Sequence, residues 1–435
     1  MAKKKKKKLN KRQRKQVAKL IFSLILLVII IIAFVFFKDK IPFFNQPSEP
    51  ETSETAPTVK NEGVVYDNLQ FHFLELGVAF TGDSTYIKAG DVDILIDAGA
   101  RKASAESIIE YVDKYCTDKK LEYVIVTHAD QDHIAGMVGN KKGSTRTGIL
   151  YYYEVDTLID FAYTTKTSQL YYDYLEARDY AISKGTKHYT AAECWNNENG
   201  ACRTYTLDST NNITMDIIYN KYYFELDKND ENNHSVCTMF NYNEQHFFFT
   251  GDLEEKGEKA LADYYNGSTK EKTLPHVKLF KAGHHGSRTS SNDCLLDLIT
   301  PEICTVCCCA GTDEYTDNND RTFPTQEFIN RIAKHTDAVY VTSTIDFEKA
   351  KENGEEIYKP LNGTIVVSSD GKQIGLAASN NLIKLKDSDW FNEKIYVKKA
   401  ITKEGIEYNQ ISNENYYTSS DEGVVMIPRR TWPTV

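Results

Sequence analysis

Four potential metal ligands lie within six residues of one another: His128, Asp130, Asp132 and His133. They follow Leu121–Val126, a mostly apolar run that predicts a short buried strand. Imidazole and carboxylate groups together suit divalent ions such as zinc, manganese or iron. Carboxylates placed this close would repel one another without a cation. The stretch therefore favours a metal site over a solvated polar loop.

Residues able to join this site stand at other predicted strand ends. Asp97, Asp252 and the pair His284 and His285 each follow a predicted strand, and His234 lies just before another. Strand ends can meet at one edge of an α/β sheet, where ligand sites form. We therefore expect these residues to gather at one sheet edge although they are far apart in the sequence.

Strand-like and helix-like segments alternate from about Val64 onward. Helical periodicity is found at Ala103–Tyr115, Ser168–Ser183, Leu253–Tyr265 and Thr325–Lys334. Strands are predicted at Phe71–Leu76, Ser84–Lys88, Val92–Ile96, Leu121–Val126, Val236–Tyr242, His246–Thr250, Val277–Ala282, Ile303–Cys309, Val339–Ser343 and Thr364–Ser368, with two more inside Thr204–Tyr219 and strand and loop at 148–162. This order predicts a layered α/β fold.

Three motifs in chain order carry a family resemblance. They are His128-x-Asp130-x-Asp132-His133, then Thr250-Gly251-Asp252, then Lys281-Ala282-Gly283-His284-His285-Gly286-Ser287. Over roughly residues 64–375 the chain resembles the metallo-β-lactamase superfamily. The branch it resembles includes the extracellular domain of the competence protein ComEC and the pneumococcal phosphorylcholine esterase, which have Asp in place of the second His of the lactamase HxHxDH motif. The resemblance implies a four-layered αββα fold and a two-metal hydrolase.

The resemblance also implies a role for each residue. It implies a first metal ion bound by His128, Asp130 and His234. It implies a second ion bound by Asp132, His133 and either His284 or His285. Asp252 would bridge the two ions, and Asp97 would orient a ligand without binding metal itself. The expected ions are two divalent cations, zinc or, as the alternative, manganese.

The implied chemistry is hydrolysis. Two cations bridged by Asp252 would lower the pKa of a bound water and stabilise an anionic transition state. The Asp at position 130 tilts the preference toward phosphoesters and harder ions. Asp132, His284 and His285 are the predicted catalytic residues, and whichever of the two histidines is not a ligand would protonate the leaving group.

Substrate contacts are predicted beside the histidine pair and in one later loop. Ser287 and Arg288 directly follow the pair. Where the related domains carry a His, this chain has Phe323, so a substrate-facing His is expected to be missing. Arg321 is the predicted anion contact in its place.

The amino terminus predicts a membrane anchor. Leu20–Phe37 is an 18-residue apolar run interrupted only by Ser23, long enough to span a bilayer. Eleven Lys and Arg residues precede it within residues 1–19, which predicts a cytoplasmic amino terminus and an extracellular remainder. A cleaved signal peptide is the alternative, but the run ends in Phe36-Phe37-Lys38 rather than in small residues.

The chain is thereby divided into five parts. Residues 38–62 are rich in Pro, Ser, Thr and Glu and predict a flexible stalk. The predicted parts are the cytoplasmic segment 1–19, the anchor 20–37, the stalk 38–62, the hydrolase domain 63–380 and a carboxy-terminal extension 381–435. The extension is either a small lobe or a tail that packs back on the domain.

Charge and cysteine content limit the function classes. The whole chain carries a net charge of −10, so removing the eleven positive charges of residues 1–19 leaves −21 for the rest. Strong nucleic-acid binding is not expected from so acidic a body. Of the nine cysteines, Cys304 and Cys307 read as buried strand residues, whereas Cys194 and Cys202 flank a polar loop and could form a disulfide.

The sequence therefore predicts a membrane-anchored, extracellular, metal-dependent hydrolase. Its expected substrate is a phosphodiester of nucleic acid or of the cell envelope. One alternative is a carboxylic ester, lactone or amide hydrolase of the same superfamily. Another is a surface binding module whose metal is structural, but structural zinc sites tend to be rich in Cys, and this one is rich in Asp and His.

Overall fold

The structure is a computed structural model that describes residues 62–143, 145–266, 273–312, 314, 321–346, 357–402, 405–410 and 424–434. The predicted cytoplasmic segment and the anchor over Leu20–Phe37 lie outside these residues, as does the stalk apart from Glu62. Within the described residues, no helix is both long and apolar enough to cross a membrane. The anchor thus stays a prediction.

The described elements are numbered in chain order. The strands are β1 Leu69–Phe73, β2 Thr85–Ala89, β3 Val92–Ile96, β4 Lys120–Ile125, β5 Lys141–Lys142, β6 Thr145–Arg146, β7 Glu154–Asp160, β8 Lys187–Thr190, β9 Thr204–Asp208, β10 Ile213–Ile218, β11 Cys237–Tyr242, β12 Gln245–Phe249, β13 Leu279–Lys281, β14 Ile303–Ala310, β15 Val339–Ile345, β16 Tyr358–Pro360, β17 Ile365–Ser369, β18 Ile374–Ala378, β19 Lys394–Thr402, β20 Gly405–Gln410 and β21 Val424–Pro428. The α-helices are α1 Ser104–Val112, α2 Gln131–Val138, α3 Ile149–Tyr152, α4 Gln169–Ser183, α5 Ala191–Asn196, α6 Glu255–Tyr265, α7 Asp293–Ile299, α8 Gln326–Ile332 and α9 Asp389–Asn392.

Two mixed sheets form the centre of the domain. The first has the strand order β18-β17-β1-β2-β3-β4-β7-β8, and the second has the order β16-β15-β14-β13-β12-β11-β10-β9. Strands β3, β4, β7 and β8 run parallel, as do β12 to β15. Parallel neighbours end at the same edge of a sheet, so the loops after β3 and β4, and those after β12 and β13, are each brought together.

The inner faces of the two sheets pack on each other. The Phe71 ring of β1 lies 4.7 Å from that of Phe247 on β12 and 5.5 Å from that of Phe240 on β11. Removing one such side chain from water contributes roughly 1.5–3 kcal/mol. In β3, Ile94 and Ile96 belong to this inner core, whereas Leu95 points to the other face, as the two-residue period of a strand requires.

Helices cover the outer faces. The outer face of the first sheet packs on α1, α2 and α4 through Ile108, Ile134 and Tyr174. The outer face of the second packs on α6, α7 and α8 through Leu261, Leu296 and Phe328. The mixed α/β architecture predicted from the sequence is confirmed, and its layers follow the expected helix, sheet, sheet, helix order.

One segment differs from the predicted elements, and one predicted hairpin agrees with them. Residues 148–162, expected to be strand and loop, begin with the helical turn α3 before β7. The predicted hairpin through Asn243-Glu244 is confirmed, with Tyr242 opposite Gln245. Asn243 has φ 55°, a left-handed conformation that two-residue hairpin loops need and that Asn tolerates.

The possible disulfide between Cys194 and Cys202 is not formed, because both cysteines are free. Cys194 is buried on α5, and its Sγ lies 3.3 Å from the Tyr205 hydroxyl. The Cys202 N–H donates to the same hydroxyl at 3.1 Å, although the Cys202 side chain is exposed. Tyr205 thus ties the two positions together without a covalent bond. Cys304 and Cys307 are buried in β14, as predicted.

Part of the carboxy-terminal extension packs back on the domain. Trp390 and Phe391 of α9 are buried in the same apolar cluster as α8. Arg430 is only 2% exposed; its Nε donates to the Pro324 carbonyl at 3.0 Å and its Nη2 to the Thr322 carbonyl at 2.9 Å. Strands β19 to β21 form a separate three-stranded sheet.

Candidate metal centre

Asp97 supports the centre from the end of β3. Its Oδ1 accepts from the Thr127 N–H at 2.8 Å, and its Oδ2 accepts from the Thr127 hydroxyl at 2.7 Å. The same Oδ2 accepts from His133 Nδ1 at 2.8 Å. A carboxylate on Nδ1 fixes the ring and its tautomer, so Nε2 is presented to the centre. The structure thus places Asp97 where the sequence expected an orienting carboxylate.

Four predicted site residues converge beyond that contact: Asp132 and His133 from the first turn of α2, and Asp252 and His285 from the segments after β12 and β13. Asp252 Oδ2 lies 3.1 Å from His133 Nε2 and 3.2 Å from His285 Nε2. His285 Nε2 is also 3.2 Å from Asp132 Oδ2. On its other side, His285 Nδ1 donates to the Cys307 carbonyl at 2.7 Å. Both imidazoles therefore turn Nε2 inward, the arrangement of metal-binding histidines.

The turn after β13 separates His285 from His284. Both residues have left-handed backbones, with φ 43° at His284 and 54° at His285, a conformation that costs about 1–3 kcal/mol for a residue other than glycine. As a result, the His284 ring points elsewhere, with Nδ1 at 2.9 Å from Glu254 Oε1. Of the two histidines, His285 is the one that faces the cluster.

Asp83 is a member of the centre that sequence reasoning missed. One ligand atom from each of Asp83, His133, Asp252 and His285 lies within 4.8 Å of the others. Asp83 Oδ1 is 3.2 Å from His285 Nδ1, and its Oδ2 forms a buried ion pair with Lys281. A signal was present, because Thr81-Gly82-Asp83 repeats the tripeptide that ends in Asp252.

The remaining predicted ligands are less closely gathered. His128 Nε2 lies 3.7 Å from Asp130 Oδ2, and the other oxygen of Asp130 forms an ion pair with Lys166. His234 is buried, but its Nε2 accepts from the Asp227 N–H at 3.0 Å, and its Nδ1 lies 3.7 Å from Glu231 Oε2. Both nitrogens of His234 thus face its own loop, and its role as a ligand stays a prediction.

The predicted substrate residues lie around the histidine turn. The Ser287 hydroxyl is 2.9 Å from that of Thr289. Arg288 and Arg321 are exposed. The ring of Phe323 lies 5.5 Å from the ring of His284 and 5.9 Å from that of His285, so it forms an apolar wall beside both. The substrate-binding roles of Ser287, Arg288 and Arg321 stay predictions.

Neighbouring charges shift the pKa values of the converged groups, so that a bound cation would replace protons on the histidines. Burial lowers the pKa of His133, but the charges of Asp252 and Asp97 outweigh burial and raise that pKa well above its usual value. Burial raises the pKa of Asp252, but His133, His285 and Lys281 outweigh it and hold that pKa well below its usual value. Protons on the histidines thus balance the charges of the neighbouring carboxylates.

The residues present fit a divalent metal. Among the buried side-chain atoms, Asp252 Oδ1 and His128 Nε2 have no hydrogen-bond partner. Leaving a buried polar atom unsatisfied costs about 1–3 kcal/mol, which coordination to an ion would remove. The donor set of imidazole nitrogens and carboxylate oxygens is one that zinc and manganese accept. The His/Asp site therefore indicates divalent metal ions without identifying the element.

Comparison with known families agrees with this geometry. The family model of the metallo-β-lactamase superfamily matches residues 77–142, which include Asp83, Asp97 and the motif from His128 to His133. Over these residues the chain is similar to the metallo-β-lactamase superfamily. The match covers strands β2 to β4 of the first sheet and the first motif, and it does not identify a branch or a substrate.

Individual relatives are similar over parts of the chain. Recombination protein 2 of Haemophilus influenzae is 30% identical over 73 residues, which are 17% of this chain and 8% of that protein. A metallo-β-lactamase from Cronobacter sakazakii is 11% identical, with a TM-score of 0.29, over 50% of this chain and 74% of the other. The diiron β-hydroxylase CmlA from Streptomyces venezuelae is also 11% identical, with a TM-score of 0.30, over 55% and 45%. The chain thus spans less than a tenth of the curated relative it matches.

Proposed function

We propose that this chain is a phosphodiesterase that uses two divalent metal ions, zinc or manganese, and acts on phosphodiesters of nucleic acid or of the cell envelope. The observation that carries the proposal is the carboxylate-rich donor set at the centre. Three carboxylates predicted as ligands stand there with three predicted imidazoles: Asp130, Asp132, Asp252, His128, His133 and His285. Carboxylate oxygens favour harder ions than an all-imidazole site would, and such ions suit phosphoryl oxygens.

Metal ions bound by this set would supply Lewis acidity, which activates water and stabilises an anionic transition state. Hydrogen bonds within the protein already orient the donor side chains. Asp97 fixes the His133 ring, and the Cys307 carbonyl fixes the His285 ring. Phe323 shields the histidine turn on one side with an apolar ring. Little reorganisation is then needed when the reaction begins.

His284 is proposed to serve the leaving group. It is 22% exposed, and its Nδ1 donates to Glu254. Glu254 also accepts from the Thr289 hydroxyl at 2.7 Å, which holds the carboxylate in position. With Nδ1 engaged, Nε2 is the atom of His284 that can give a proton to a leaving alkoxide or hydrogen-bond a phosphate oxygen.

We further propose that the hydrolase is anchored in the cell membrane with its catalytic domain outside. The apolar run Leu20–Phe37 and the basic residues before it support this arrangement. The test is to fractionate cells and add protease to intact cells. A membrane-bound chain that loses its catalytic domain to external protease fits the proposal, whereas a protected domain contradicts it.

Activity is tested with the full-length chain in detergent, loaded with zinc or manganese. We expect turnover of bis(p-nitrophenyl) phosphate and loss of that turnover in Asp132→Ala, because Asp132 contacts His285 at the centre. Asp263→Ala is the matched control, since this carboxylate is 66% exposed on α6. Unchanged turnover in Asp132→Ala would refute the site.

The same preparation separates the alternatives. A metal-loaded chain that hydrolyses lactones, carboxylic esters or amides but no phosphodiester would be a hydrolase of another class. A chain that holds metal but is inactive on all these substrates would be a binding module. Either result would overturn the phosphodiesterase proposal.

A further inference from the structure

Lys166 is a cation at the centre that the sequence motifs do not include. Its ammonium pairs with Oδ1 of Asp130, whose Oδ2 lies 3.7 Å from His128 Nε2. The Lys166 side chain is 35% exposed and that of Asp130 is 25% exposed. The pair therefore lies where the centre opens to solvent, while His128 behind it is buried.

The loop that carries Lys166 is held against the centre. The backbone N–H and the hydroxyl of Thr165 both donate to Glu231 Oε2 at 2.8 Å. The Lys166 N–H donates to the Thr164 hydroxyl at 3.0 Å. Glu231 is itself buried, three residues before His234. The backbone of Lys166 is thus fixed beside the His128 side of the site, and its side chain is 35% exposed.

An anionic substrate needs positive charge at this acidic opening. Lys281 is only 3% exposed and is engaged with Asp83 inside the centre. Arg101 pairs with Glu314, and its guanidinium lies 3.7 Å above the Phe80 ring. Lys166 differs from both because its partner, Asp130, is itself a proposed metal ligand.

We propose that Lys166 binds a phosphate oxygen of the substrate and positions the phosphodiester at the His128 side of the centre. This inference rests on the proposed phosphodiesterase function. A metal ion bound by Asp130 would share the charge of this carboxylate and weaken its hold on the ammonium. Lysine is a flexible point charge that can then turn to an anion within reach of the same side chain.

The expected effect is on anion binding and not on metal binding. A hydrogen bond between charged groups that is lost from a binding site lowers affinity by roughly 10- to 100-fold. Lys166→Met should therefore raise KM for bis(p-nitrophenyl) phosphate and weaken competitive inhibition by inorganic phosphate, each by about that factor. Lys166→Arg should restore most of both, because it returns the positive charge.

The experiment compares the full-length wild type with Lys166→Met, Lys166→Arg and Lys142→Met. Lys142 is the matched control, since it pairs with Glu106 at 2.8 Å but is 64% exposed on the surface. Metal content by mass spectrometry, KM and the binding of inorganic phosphate by calorimetry are measured on each. Equal phosphate binding and KM in wild type and Lys166→Met would overturn the proposal, as would loss of metal from Lys166→Met, which would make the lysine a support for Asp130.

The calorimetry separates this proposal from the function on which it rests. If the wild type cleaves no phosphodiester, the phosphodiesterase proposal fails whatever Lys166 does. Weaker phosphate binding by Lys166→Met would still support an anion site. If the wild type does cleave the diester and the lysine variants are unaffected, only the role of Lys166 fails.

Discussion

The two halves of the centre differ in how firmly the surrounding chain holds their side chains in place. In the inner cluster, formed by Asp132, His133, Asp252 and His285, neighbouring ligand atoms lie 3.1 Å and 3.2 Å apart. In the outer pair, formed by His128 and Asp130, the closest atoms are 3.7 Å apart, and Asp130 holds Lys166. The inner cluster is buried, whereas in the outer pair His128 is buried and Asp130 reaches solvent.

The difference lies in what stands behind each ligand. Asp97 and the Cys307 carbonyl fix the two inner imidazoles, and the buried pair of Asp83 and Lys281 fills the space beside them. Behind the outer pair, His128 Nδ1 meets the Thr127 and Ser235 hydroxyls at 3.1 Å and 3.4 Å. A site whose ligands are already ordered loses less entropy on binding, so we expect the inner cluster to bind its ion more tightly.

The largest effect should come from removing one ligand of the inner cluster. His285→Ala should lose the tightly bound ion and nearly all activity, a greater loss than the roughly 10- to 100-fold change in metal affinity or activity typical of a lost supporting hydrogen bond. His128→Ala should keep one ion after dialysis and lose the weaker one. Metal content per chain, measured by mass spectrometry at several zinc concentrations, tests the difference.

His284→Ala is the natural control for this comparison. It removes an imidazole from the same turn, but one that faces Glu254 instead of the cluster. Its metal content should equal that of the wild type even though turnover falls. Equal loss of metal from the His284 and His285 variants would show that metal binding depends on the conformation of the turn and not on the His285 imidazole.

A smaller loss of metal affinity should follow when the contact that orients His133 is weakened and His133 itself is kept. Asp97→Asn retains the shape of the side chain but removes the charge that orients His133, so metal affinity should fall about 10- to 100-fold. Asp93→Asn is a control on the same strand, because Asp93 is buried but pairs with Lys88 at 2.8 Å, away from the cluster. Competition with a chromogenic chelator measures both. Equal affinities in the two variants would contradict a special role for Asp97.

The mixed α/β fold and most candidate residues of the inner cluster could be predicted from the sequence because each depends on a local pattern. Apolar runs such as Val92–Ile96 predict strands, and polar residues directly after them must lie at a sheet edge. Asp97, Asp132, His133 and Asp252 were all found in that way. The end of β3 alone decides the position of Asp97, whereas Asp132 and His133 lie in the first turn of α2.

The orientations of the other histidines and the position of Asp83 depend on contacts that cannot be seen in the sequence. His284 and His285 are adjacent, and only two successive left-handed backbones decide which ring turns inward. The direction of the His234 ring is set by the Asp227 N–H within its own loop. Asp83 precedes a strand instead of following one, and its partner Lys281 comes from the other sheet. Strand-end reasoning passes over such residues because tertiary packing alone brings them to the site.

The smallest expected effect is that of pH on metal binding, and it concerns both histidines of the inner cluster. Burial lowers the pKa of His285 as well, but Asp252 and Asp83 outweigh burial and raise it well above its usual value. Both inner histidines therefore carry protons in the metal-free chain near neutral pH, and an ion must displace them to bind. The affinity for the metal ion should rise with pH, by about tenfold per pH unit for each proton released, and fall as the solution becomes more acidic.

Calorimetry in buffers of different ionisation enthalpy counts those protons. His128→Ala leaves the inner cluster intact, so it should release the same number of protons at the tight site. Proton-free binding at neutral pH would mean that the inner carboxylates do not hold the histidines in their charged form.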